Sequence, residues 1–213
     1  MIKKLFAIVS VLLIGSMLLA ACTTTPPAEP EKPAAEEPAA PKTKVCQITD
    51  TGGIDDKSFN ATAWKGITDA IDQLGIEGKY LESKEVADYE KNLNALMEEK
   101  CDLIITVGFL IGDATKAAAE ANPDLKFSIV DYNYDPAIAN VTGQIFNTDE
   151  AAFLAGYLAA GVTKTGVVGT FGGLPIPTVT IFMDGFYKGV AKYNEVKGTD
   201  VKVLGWDPAA PDS

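Results

Sequence analysis

From Lys44 onward, short apolar runs alternate with stretches that carry apolar residues at helical spacing. The runs fall at 45–49, 79–81, 103–107, 127–130, 141–146, 166–171 and 201–206. Phe59, Ala63, Ile67, Ile71 and Leu74 lie on one face of a helix, with Asp55, Asp56 or Ser58 as its cap. Further helical patterns cover 89–96, 114–121, 151–160 and 179–193. Parallel strands need a crossover between them, and a helix is its usual form. The expected class is therefore α/β, with doubly wound parallel sheets covered on both faces. In such sheets ligands bind outside the carboxyl ends of the strands.

That rule directs attention to the residues at the end of each apolar run: Asp50-Thr51-Gly52-Gly53, Gly108-Phe109, Asp131-Tyr132 and Gly172-Gly173. Residues 49–60 join the first strand to a helix, and two glycines permit a tight turn there. Asp55 and Asp56 suit the positive end of the helix dipole. Asp50 differs, because a carboxylate at a strand end is an acceptor for N–H or O–H donors in a crevice. Phe59 and Asn60 open the helix on the same rim. An aromatic face beside an amide matches a flat heterocycle, although on residue type alone a Phe more often belongs to a core. Asp131 ends its strand as Asp50 does. The pair suits either acid–base work or hydrogen-bond acceptance; no nucleophile or metal cluster accompanies it, which favours binding. The Gly pairs form neither phosphate-binding signature, so no cofactor is expected.

The chain has no His and no Arg. Imidazole-based nucleophile systems, imidazole metal ligands and arginine clamps on phosphate are thereby excluded. A formal charge of -11 argues against a nucleic-acid partner. At 47% hydrophobic residues, the chain can build a core.

Met1-Ile2-Lys3-Lys4 precedes an apolar run ending at Ala20-Ala21-Cys22. This is the layout of an export signal, and Leu19-Ala20-Ala21-Cys22 resembles a bacterial lipobox. The expectation is a signal peptide over 1–21 and lipidation at Cys22, anchoring the chain to a membrane on its extracytoplasmic side. Residues 22–43, rich in Pro, Ala and Glu, are expected to form an extended tether. Cys46 and Cys101 fall near the same end of neighbouring strands. In an exported protein they are either a disulfide or two buried thiols.

Together, residues 49–60, Trp64-Lys65-Gly66, Gly108-Phe109, 127–131, 155–159, Gly172-Gly173 and Phe182 with Gly185-Phe186 resemble the basic membrane protein family. These are substrate-binding lipoproteins of ABC importers, and its best-understood members are purine nucleoside receptors. The resemblance implies a type I periplasmic-binding fold of two α/β lobes closing on a ligand. It places lobe one at 44–162 and part of lobe two at 163–213. It implies that Asp50, Asn60 and Asp131 hydrogen-bond a purine base while Phe59 and Phe182 stack on it, with an ABC permease as partner and no catalytic residue, metal or cofactor. The family's ribose-binding Gly, Asp and Lys come from later in the second lobe, so a shortened second lobe is expected. Of three alternatives, one is a non-transport surface lipoprotein acting as adhesin or sensor, and two concern the ligand and the chemistry. One keeps the fold with a sugar or signalling molecule as ligand. The other is a calcium-dependent nucleoside hydrolase, whose Asp-rich motif residues 48–56 partly resemble, although Ile48 stands where its first Asp would be.

Overall fold

The computed structural model describes residues 42–210. The export signal, Cys22 and the tether lie outside the described residues. β1 (Lys44–Ile48), β2 (Glu77–Leu81), β3 (Leu103–Val107), β4 (Lys126–Val130) and β5 (Val141–Gln144) form one parallel sheet, in the order β2-β1-β3-β4-β5. α1 (Phe59–Leu74) connects β1 to β2, α2 (Asp88–Glu98) connects β2 to β3, and α3 (Gly112–Ala121) connects β3 to β4 after a single 3₁₀ turn.

Adjacent residues of a strand point to opposite faces. Gln47 Nε2 donates to the Asn60 carbonyl of α1 at 3.1 Å. Cys46 and Ile48 instead pack with Tyr89, Leu93 and Leu96 of α2 and Ile111. So α1 covers one face, and α2 and α3 cover the other. The chain moves from β1 outward to β2, then back past β1 to β3. In open parallel sheets such a reversal, here at the carboxyl ends of β1 and β3, is where ligands bind. At the other end of these strands a disulfide joins Cys46 to Cys101, with 6.0 Å between Cα atoms.

β5 stops at Gln144, short of the expected 146, and among the described residues it pairs with β4 alone. The last pair is Val130 with Gln144. Beyond it Asp131 turns into the left-handed region at φ 61°, and Ile145 and Phe146 are exposed.

α4 (Thr148–Val162), β6 (Val167–Gly169), α5 (Pro177–Lys197) and β7 (Lys202–Leu204) make a second layered unit with a two-stranded parallel sheet. α5 starts with a proline, whose missing N–H costs nothing at that position, and ends at Gly198 with φ 63°. α4 lies along α5. Gly156 and Gly189 let the backbones meet: a Cβ on either would strike a carbonyl of the opposing helix, Phe186 or Phe153. Among the described residues no helix is long and apolar enough to cross a membrane.

Candidate functional site

Asp50 leaves β1 at the reversal point. Its backbone N–H donates to Asn60 Oδ1 at 3.1 Å. Its Oδ1 accepts from Asn60 Nδ2 at 2.6 Å and from the Gly52 N–H at 2.7 Å. Asn60 is fixed in turn by Asp56, whose Oδ2 accepts from the Asn60 backbone N–H at 2.7 Å and from Nδ2 at 3.2 Å. Asp56 Oδ1 takes the N–H groups of Ser58 and Ala61. Asp56, rather than Asp55 or the Ser58 hydroxyl, therefore caps α1. Burial opposes its charge, but these donors outweigh burial and hold its carboxyl below the ordinary range.

Both N–H groups of the Asn60 side chain are thus bonded within the protein, and the residue is 1% exposed. Sequence suggests Asn60 as a direct ligand contact. The geometry makes it the residue that holds Asp50. Asp50 Oδ2 takes no donor among the described residues and faces Gly108. A Cβ built on Gly108 would lie 3.2 Å from Asp50 Cβ, 3.4 Å from its Oδ2 and 3.6 Å from Phe59 Cε1. Asp50, Phe59 and Gly108 therefore converge. Phe59 is half-buried on this rim. Gly108 has φ 105°, a conformation suited to glycine, and its N–H donates to the Val130 carbonyl.

That bond ties the rim to β4. Asp131 comes next in the chain, half-buried, with burial pushing its carboxyl above the ordinary range. Its N–H donates to the Gln144 carbonyl at 2.8 Å. Asp50 and Asp131 thus stand at strand ends on either side of Gly108. Tyr132 packs on Phe109 and Tyr134, with ring centroids 5.0 and 4.9 Å apart. The Tyr134 hydroxyl donates to the Gly112 carbonyl at 2.7 Å.

Phe182 stands on α5 and is 47% exposed. The second unit has its own groove of about 460 Å³ beyond β6 and β7, lined by Phe171, Gly172, Leu174, Met183 and Trp206. Trp206 Nε1 donates there to Asp184 at 2.9 Å.

Two rim residues are not singled out by the sequence. Glu82 directly follows β2, and its Oε1 accepts the Ile54 N–H at 2.8 Å, pinning the turn after Asp50. The strand-end rule that selects Asp50 would also find it. Tyr89 gives no such signal, because its ring reads as core. Among the described residues no three His, Cys, Asp or Glu side chains gather as a metal site would require. Asp50 Oδ1 and both Asp56 oxygens, the acids shared with the hydrolase motif, are occupied by amide donors.

The model of a family described as ABC transporter substrate-binding protein, PnrA-like, matches residues 43–208. Basic membrane protein A of Borreliella burgdorferi is 40% identical over 162 residues, covering 75% of this chain and 46% of that protein. The ABC transporter nucleoside-binding protein BmpA of Lactococcus lactis is 33% identical over 166 residues, covering 76% of this chain and 47% of that protein. A crystal structure of an ABC transporter solute-binding protein from Aeropyrum pernix superposes with a TM-score of 0.71 at 31% identity, covering 76% of this chain and 46% of that one. The chain spans about half the length of these relatives.

Proposed function

The chain belongs to the PnrA-like family of ABC transporter substrate-binding proteins, and from that premise we propose that it captures a purine nucleoside for an ABC importer. The single observation that carries the ligand assignment is the Asp50 carboxylate, fixed through one oxygen and open at the other, beside the Phe59 ring and the bare backbone of Gly108. A preset acceptor next to an aromatic face suits a planar base that offers N–H donors. The name of the Lactococcus lactis relative supports a nucleoside.

Asp50 would accept from the base without first having to be oriented, because Asn60 and Gly52 already hold it. Asp131 would supply a second acceptor from β4. A base lacking the matching donors would leave buried acceptors unpaired, which is how such a site discriminates. Phe182 would approach only on closure of the second unit over the first, and would then cover the other face of the base. Lipidation at Cys22 would hold this receptor on the extracytoplasmic face of the membrane, within reach of its permease.

Isothermal titration with inosine, adenosine, guanosine and cytidine tests the reading. It is run on the full chain and on a chimera carrying the second half of the Borreliella burgdorferi relative after residue 210. Saturable heat with a purine nucleoside is expected from the chimera. No heat with any of the four, from either protein, would sink the assignment.

A further inference from the structure

Tyr89 lies in the first turn of α2, whose start is fixed by Asp88 accepting the N–H groups of Lys84 and Glu85. This places it at the ligand end of the sheet. The Thr49 N–H donates to the Leu81 carbonyl, and the Ser83 N–H to Thr49 Oγ1, so the segment leading to α2 runs beside the one leading to Asp50. The Tyr89 ring fills the core with Ile48 and Leu93, and the residue is 2% exposed. Its hydroxyl has no hydrogen-bond partner. Burial, then the Asp50 charge, pushes this phenol up, while the nearby Thr51 amide opposes both without reaching hydrogen-bond geometry.

A buried hydroxyl without a partner is a destabilising feature that phenylalanine would remove at the same shape. Among the described residues two buried side-chain polar atoms are in this condition, Tyr89 Oη and Gln47 Oε1. Gln47 lies on the other face of the sheet, where its amide bonds the Asn60 carbonyl; Tyr89 is the one on the α2 face, with Ile48. A buried hydroxyl without a partner beside strand-end residues points to a second state in which it is used.

We propose that Tyr89 is a positioning residue of the binding site, whose buried hydroxyl bonds the Asp50–Thr51 turn when ligand is held. This rests on the proposed nucleoside-binding role of the same crevice. In the ligand-free protein the hydroxyl is close to the turn and unbonded. When a base pulls on Asp50 Oδ2, a small shift of the turn brings a backbone or carboxylate acceptor onto the hydroxyl. The bond forms only in the liganded state, so it tightens binding without stabilising the free protein.

Tyr89→Phe separates this role from ordinary core packing. Urea unfolding of the ligand-free protein should show equal or greater stability for the variant. Titration with the purine nucleoside that binds the parent should show about tenfold weaker affinity, the effect of one hydrogen bond to a charged or backbone acceptor. Ligand should also slow amide exchange at Thr51, Gly52 and Gly53 more in the parent than in the variant. Unchanged affinity in Tyr89→Phe, with the parent binding normally, would overturn this inference alone. Lower stability with unchanged affinity would do the same and mark the hydroxyl as structural. A parent that binds no purine nucleoside overturns both the inference and the reading on which it rests.

Discussion

Replacing Asn60 with Asp changes one group while keeping the shape of the side chain. Oδ1 can still accept the Asp50 N–H. The other atom becomes an oxygen facing Asp50 Oδ1 at 2.6 Å and Asp56 Oδ2 at 3.2 Å, where an amide donated to both. Two unit charges at that shorter distance repel by roughly 6 kcal/mol at an effective dielectric of about 20. The new carboxyl escapes part of this by keeping its proton, which caps the cost. At pH 7 the cap is about 4 kcal/mol, the free energy of protonating a group whose unfolded pKa is about 3.9. At pH 5 it falls to about 1.5 kcal/mol. Linkage sets the sign. A carboxyl whose folded pKa is raised binds more protons when folded, so its variant is most stable below the unfolded pKa and loses stability as pH rises. Urea unfolding of the parent and Asn60→Asp between pH 4 and 8 measures this directly. The stability gap should widen by several kcal/mol from pH 4 to pH 7. A gap that stays flat, or remains under about 1 kcal/mol at pH 7, would refute the placement of Asn60 between two carboxylates.

The geometry carries three further expected outcomes. Gly156→Ala should destabilise by about 1–2 kcal/mol in chemical unfolding, because collision with the Phe186 carbonyl exceeds the gain in helix propensity, whereas Gly66→Ala, with open space around its Cβ, should stabilise by up to about 1 kcal/mol. Reducing Cys46–Cys101, which spans 55 residues, should cost about 4 kcal/mol of unfolding free energy if loop entropy dominates; a loss under about 1 kcal/mol would reject that estimate. Burial raises the Asp131 carboxyl, so its contribution to stability falls as pH climbs from the ordinary carboxylate range through its folded pKa. Asp131→Asn should therefore stabilise the free protein at pH 7 while weakening nucleoside binding. Lower stability with normal binding would contradict both halves.

Much of the fold is legible in the sequence alone. Leu103–Val107 and Phe59–Leu74 appear where their apolar patterns put them, because a buried strand and an amphipathic helix leave different periods. The strand-end rule locates Asp50 and Asp131 because parallel sheets have one ligand-facing end. Other features depend on contacts that no local pattern encodes. The packing of α4 on α5 rests on Gly156 and Gly189 meeting a partner helix, and small residues in a helix look the same whichever neighbour they meet. Asn60 looks like a ligand contact from its type and position, and only its three side-chain bonds show that both its donors are taken. Tyr89 looks like plain core, since its ring is core; the misfit is confined to one oxygen.

The central claim is that the open oxygen of Asp50 receives the base of a purine nucleoside. Titrating inosine or guanosine into the parent chimera and into its Asp50→Asn and Asp50→Ala variants tests it most directly. The parent should bind, Asp50→Asn should weaken binding by about tenfold or more, and Asp50→Ala should abolish measurable heat. Parent-like affinity in both variants, with each shown to be folded, would contradict the account.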